Sequence, residues 1–526
     1  MIASVGAIQL QAMLQDGEEL ALLDVREAGQ FGHSHLLFAV PLPYSRLELD
    51  IGRLVPRRAV RVVLCDDGAS DIASLAAHQL AAIGYENVSV LDGGTRAWAA
   101  AGCKLFSGVN VPSKVFGELV ELAYRTPHID SNALVRMQKA GEDMVIVDGR
   151  PFAEYRKMSI PGGICCPNAE LPYRIREIVK RPTTRIVVNC AGRTRSILGA
   201  QTLINFGIPN PVCALENGTQ GWVLSDLELE RGADRRYPDF VDAAHLPELR
   251  AAASKLAQRC RVRSVSADEV DGWLRGGERT VYVCDVRTPE EFAAGSLRGA
   301  LHAPGGQLIQ ATDQWIGVRN ARIVLIDNDG VRAPVVASWL VQMGYDAQVL
   351  AEGIDAPLSV PPAADPRLPE LKLMTVAELA AQLPAHNCLI IDLRASTKFR
   401  AAHIPGSHWS IRPRIAAQAR AASQPVVLVA DDANTARAAS LDLAQAGVSH
   451  VQLLDGGFDA WLRAGFASEA SPDSPPDADC IDYLFFVHDR HAGNRAAMRQ
   501  YLEWETGLVA QLDARERALF RLPPTA

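Results

Sequence analysis

The chain has 526 residues, which at roughly 100–200 residues per domain implies three to five domains. Hydrophobic residues at 48% and charged residues at 22% exclude general disorder. A net charge of −8 argues against a dedicated nucleic-acid binder. In chain order, a short apolar strand ending in Asp-x-Arg is predicted four times, with Asp24, Asp148, Asp285 and Asp392. These aspartates stand 124, 137 and 107 residues apart. Each repeat is therefore a domain, well above the ~20–50 residues of a solenoid unit.

A second apolar strand follows at 61–64, 186–189, 323–326 and 426–429. It enters a polar turn led by Cys65, Cys190, Asp327 and Ala430, lying 41, 42, 42 and 38 positions after the Asp. Helical spacing of apolar residues comes next and stops at Gly84, Gly207, Gly344 and Gly447. A third strand runs into Gly93-Gly94 with Trp98, Asn217-Gly218 with Trp222 and Gly456-Gly457 with Trp461; the third repeat keeps Gly353 but no matching Trp. β-Branched strands alternating with helices imply an α/β fold with a parallel sheet covered by helices. Chemistry is then expected at the carboxyl ends of the strands, where the polar turn lies.

Domains are expected at 1–108, 128–235, 262–360 and 371–467, joined by links at 109–126, 237–263 and 357–369. Residues 468–479 read as a flexible spacer, and 479–526 as a helical tail that caps the last repeat or self-associates. The tail's stripe is Trp504, Leu508 and Leu512. The ten cysteines are scattered, only Cys165 and Cys166 are adjacent, and no CxxC occurs, so neither a disulfide scaffold nor a zinc ribbon is expected. The histidine pairs His33/His35, His403/His408 and His488/His491 have no ligand-type spacing to Cys or carboxylate, so no metal is expected. With no leader-like start and no apolar run of ~18 residues, the expectation is a reduced, cytoplasmic protein.

The four turns differ in chemistry. Cys190-Ala191-Gly192-Arg193-Thr194-Arg195-Ser196 combines a thiol with two cations at a helix start. A thiolate is the reactive form; helix N–H groups and guanidinium charge both favour it, and the arginine forks suit an oxyanion. In the first repeat Asp66, Asp67 and Asp71 work against ionisation of Cys65, which is kept only as a weaker second nucleophile.

Asp-x-Arg, the Pro-Gly of His403-Ile404-Pro405-Gly406, a Cys-led turn opening a helix and the Gly-Gly-x3-Trp finish together resemble the rhodanese family of sulfurtransferases. The resemblance covers about residues 5 to 465 as four tandem rhodanese-like modules, the second catalytic, the third and fourth inactive for want of Cys. It implies thiosulfate as donor, a cyanide or thiol acceptor, and a persulfide on Cys190. It further implies that Ala191, Gly192, Thr194 and Ser196 cradle the persulfide, that Arg193 and Arg195 bind the sulfonate, and that Arg150 helps with substrate while Asp148 ties the loops. Cys165 and Cys166 are weighed as a sulfur relay against simple packing. No cofactor, nucleic acid or membrane is expected; a homodimer stays open. Other readings are a binding scaffold or sulfur carrier, a mercaptopyruvate sulfurtransferase, and a phosphatase, the last disfavoured because the turn places Arg195 five rather than six residues after Cys190.

Overall fold

In the computed structural model each repeat is a five-stranded parallel sheet flanked by helices, and residues 2–420, 424–490 and 493–522 are described. His491 and the tail positions 492 and 523–526 lie outside that set. The first sheet uses β1 (Ala3–Val5), β2 (Leu20–Asp24), β3 (Val40–Pro41), β4 (Arg61–Cys65) and β5 (Asn87–Leu91). The second uses β6 (His128–Ile129), β7 (Met144–Asp148), β8 (Ile164–Cys165), β9 (Arg185–Asn189) and β10 (Val212–Leu215). The third uses β11 (Arg263–Val265), β12 (Val281–Asp285), β13 (Leu301–His302), β14 (Arg322–Ile326) and β15 (Asp346–Leu350). The fourth uses β16 (Lys372–Met374), β17 (Leu389–Asp392), β18 (His408–Trp409), β19 (Val426–Val429) and β20 (Val451–Leu454). Strand order is the same in all four: first, fifth, fourth, second, third. The central strands are continuous apolar runs, as in β9 where Ile186, Val187 and Val188 are all fully buried. Burial on both faces removes the alternation a half-exposed strand would show.

Six helices position the candidate site and the contacts between repeats: α1 (Val111–Tyr124), α2 (Thr194–Phe206), α3 (Gly218–Leu224), α4 (Leu246–Arg259), α5 (Arg332–Gln342) and α6 (Arg495–Gly507). The chain divides into two compact units, one holding the first and fourth repeats, the other the second and third repeats with the tail. In the first unit Arg412 of the fourth repeat forms buried ion pairs with Glu48 and Asp442, and Tyr44 donates to Asp442 at 2.5 Å. In the second unit Arg332 donates to Glu170 at 2.9 Å, and the Trp339 indole donates to Thr202 at 2.8 Å.

The segments between and after the repeats carry packed structure, and two of them differ from the sequence expectation. The first link contains helix α1, whose residues 113–120 are all buried and which packs on α2. The expected spacer at 468–479 is strapped down: Glu469 and His403 exchange backbone hydrogen bonds, and Arg400 Nε donates to the Pro475 carbonyl at 2.8 Å. The tail helix α6 packs on α1 and α3, in the unit of the second repeat rather than over the last one. Apolar and charged groups on α1 and α6 need each other, and sequence distance does not reveal such partners.

Candidate active site

The Asp-x-Arg corner is built identically four times. In the second repeat, Arg150 Nε donates to Asp148 Oδ1 at 2.9 Å, and its Nη2 donates to Oδ2 at 2.7 Å and to the Met158 carbonyl at 2.6 Å. Arg26, Arg287 and Arg394 repeat this fork on Asp24, Asp285 and Asp392, each also reaching a carbonyl eight residues on. Arg150 is 1% exposed and its donors are aimed inward. Its geometry is that of a loop-holding pair shared with repeats that have no cysteine in the turn, not of a group facing substrate.

Cys190 follows the last residue of β9 and is 2% exposed. Ser196 Oγ donates to its Sγ at 3.1 Å from the first turn of α2. The turn is pinned from α3: Thr219 N donates to the Cys190 carbonyl at 2.9 Å, and Gln220 donates to the Ala191 carbonyl through both its backbone and its side chain at 3.1 Å. Gly218 makes this possible. Its φ is +51°, and a Cβ there would lie 2.2 Å from the Cys190 carbonyl oxygen.

Backbone register moves Cys65 out of the turn. Asp24 pairs with Cys65 across β2 and β4, as Asp148 pairs with Asn189 across β7 and β9. The counterpart of Cys190 is therefore Asp66, whose carbonyl accepts from Thr95 N at 2.9 Å as Cys190 accepts from Thr219. Cys65 sits one residue early, so its side chain alternates to the apolar cluster with Leu20, Leu22 and Phe31. Burial, then the charge of Asp24, pushes its thiol well above the ordinary range. The third repeat also has a carboxylate in the cysteine's place: Asp327 accepts from Gly330 N at 3.0 Å and from Ala333 N at 2.8 Å. Asp66 accepts from Gly68 N and Ala73 N at 2.8 and 3.1 Å. In the fourth repeat the position is Ala430.

The two turn arginines are not free cations. Arg193 donates to Glu118 of α1 at 2.8 and 3.0 Å and also contacts Glu121. Arg195 holds Glu154 at 2.9 and 2.8 Å. Burial alone would lower both guanidinium groups, but these carboxylates more than offset it and hold them above their ordinary value. Arg195 is also in electrostatic reach of Cys190. Asn168 fixes the turn from beside it, donating to the Arg195 carbonyl at 2.9 Å.

The rhodanese-like domain family model matches residues 7–101, 131–225, 266–357 and 375–464. The chain belongs to the rhodanese-like domain family. A crystal structure of thiosulfate sulfurtransferase from Pseudomonas aeruginosa is 41% identical and superposes with a TM-score of 0.92, with 99% of each chain covered. The thiosulfate sulfurtransferase GlpE of Pseudoalteromonas translucida is 30% identical over 95 residues, 18% of this chain and 90% of that protein. An HTH-type transcriptional regulator of Mycobacterium tuberculosis is 34% identical over 100 residues, which cover 19% of this chain and 43% of the regulator. This homology supports sulfurtransferase activity as the class of chemistry.

Around this rhodanese turn stand residues that motif reading missed. Lys114, Glu118 and Glu121 line one face of α1, and Tyr501 and Glu505 of α6 lie against Gly192. The available signal was charge at i, i+4 and i+7 on an otherwise apolar helix. Cys165 and Cys166 take packing positions: Cys165 with Tyr155 and Ala233, Cys166 with Val147, Leu171 and Val188. Burial pushes the Cys165 thiol up to about 12 and Cys166 well above its ordinary range. Among the described residues no helix is long and apolar enough to cross a membrane.

Proposed function

We propose that the chain is a thiosulfate sulfurtransferase working through a persulfide on Cys190. The observation that carries the reading lies within the chain itself. Where Cys190 stands in the second repeat, the first and third repeats carry Asp66 and Asp327, whose carboxylate oxygens accept the N–H groups of their turns. The turn is thus a cradle for an acceptor atom at that position, and only the second repeat offers it a sulfur.

The thiolate of Cys190 attacks the outer sulfur of thiosulfate. The sulfur–sulfur bond breaks with its electron pair leaving on sulfite, and Cys190 retains the transferred sulfur as a persulfide. Cyanide or a thiolate then attacks that outer sulfur, taking it as thiocyanate or a new persulfide and returning Cys190 to the thiolate. Ser196 Oγ, 3.1 Å from Sγ, and the positive end of α2 favour the sulfur as it attacks and again as it leaves. Arg195 lends positive field, damped by Glu154. Arg150 serves through the corner it holds. Repeats one, three and four are read as non-catalytic.

The test is thiocyanate formation from thiosulfate and cyanide by wild type and Cys190→Ser, with mass spectrometry of the Cys190 peptide after thiosulfate alone. One added sulfur on that peptide and its absence in the variant are expected; an active Cys190→Ser variant would refute the assignment.

A further inference from the structure

The Cys190 turn is covered by a piece of chain more than 300 residues away in sequence, since Thr194 and Glu505 are 311 residues apart. Helix α6 buries Ala497, Met498, Tyr501 and Glu505 along one face, and Arg495 anchors its start on the carbonyls of Val223 and Leu224 at 2.9 and 3.0 Å. Its fully buried carboxylate, Glu505, reaches the first residue of α2. Oε1 accepts from Thr194 Oγ1 at 2.6 Å, from Thr194 N at 3.4 Å and from Lys114 Nζ at 3.1 Å. Among the described residues Oε2 is buried with no hydrogen-bond partner, and it lies 2.9 Å from where a Cβ on Gly192 would be. A buried carboxylate oxygen left unpaired is costly.

Glu505 therefore stands where a donor's anionic end would be drawn, on a helix N-terminus beside a cysteine. Arg193 and Arg195 are tied to carboxylates of α1 and of the second repeat itself. Lys114 differs, because its carboxylate partner is brought in by the tail. Without that carboxylate, Lys114, the Thr194 hydroxyl and the Thr194 N–H lose the one acceptor they share, and a bound anion would restore it. Burial would push Lys114 down and Glu505 up; Glu505 more than offsets this for Lys114, and Lys114, the Thr194 hydroxyl and Arg490 together do so for Glu505.

We propose, resting on the sulfurtransferase reading above, that Lys114, Thr194 and the opening of α2 form the anion subsite of the Cys190 centre, that Glu505 fills it at rest, and that an anionic sulfur donor enters by displacing Glu505. Lys114 and Glu505 are then specificity-determining residues, and the tail is a gate that small oxyanions open.

The test compares carboxymethylation of Cys190 by iodoacetate with its alkylation by neutral iodoacetamide, read on the Cys190 peptide. Glu505→Gln is expected to raise the iodoacetate-to-iodoacetamide rate ratio about tenfold, and Lys114→Gln to lower it by a similar factor. The thiosulfate KM should move the opposite way in each variant, with kcat changing less. Ratios equal to wild type in both variants overturn the proposal. In wild type, sulfite should speed hydrogen exchange across residues 495–507; unchanged exchange at saturating sulfite also overturns it. Alkylation needs no sulfur transfer, so a chain inert toward thiosulfate that still shows the ratio shifts refutes the donor while the gate stands.

Discussion

Arg195 and Glu154 are joined by a two-pronged ion pair, and Arg332 and Glu291 form the same pair at the same 41-residue separation in a turn without cysteine. The pair thus also forms in the third repeat, where there is no thiol for it to serve, and the charge of Arg195 reaches Cys190 damped by Glu154. Arg195→Ala should lower kcat/KM for thiosulfate at least about tenfold through lost field and lost order. Glu154→Gln, which removes only the neutralising charge, should lower the thiosulfate KM about threefold. Steady-state kinetics on both variants check this; equal losses in both would make the pair purely structural.

Register predicts that Cys65 is silent. Cys65→Ala should retain wild-type thiocyanate production within about twofold and lose only stability, about 1 kcal/mol for a small buried truncation. Cys190→Ser should lose turnover entirely. A mass shift of one sulfur on the Cys65 peptide after thiosulfate would contradict the register argument.

The Asp-x-Arg corner predicts a stability defect that ignores catalysis. Arg287→Met strands Asp285, which is fully buried, and breaking a buried pair costs about 3–5 kcal/mol. Arg150→Met should cost a similar amount. Urea unfolding should show both losses, while the folded Arg287→Met protein keeps its thiosulfate KM within about twofold.

Asp327 predicts a pH effect on the third repeat. Burial, then the neighbouring Asp329, pushes its carboxyl from 3.8 up to about 7, outweighing the N–H bonds that act to lower it. The folded repeat therefore holds a proton that the unfolded chain releases. Its contribution to stability is complete below about pH 4 and is lost as pH rises toward 7. Asp327→Asn should flatten the fall of the urea midpoint between pH 5 and 8; an unchanged slope would assign the effect elsewhere.

Much of this protein was legible in its residues. The four Asp-x-Arg strands, the apolar β runs and the glycines that stop the helices are local signals, set by backbone propensity and by the need to bury both faces of a parallel sheet. The cysteine turn is local too, and it singled out Cys190. Tertiary structure decided everything that rests on partners. The count of 41 residues from Asp24 to Cys65 against 42 from Asp148 to Cys190 hinted at the offset, and strand pairing fixed Cys65 as the last residue of its strand, one position short of the turn. Packing gave Arg193 and Arg195 their carboxylates, joined the first repeat to the fourth, and brought Glu505 to Lys114 across 391 residues. The reason is physical: a buried charge takes whichever opposite charge the folded chain delivers, and sequence separation carries no record of that choice.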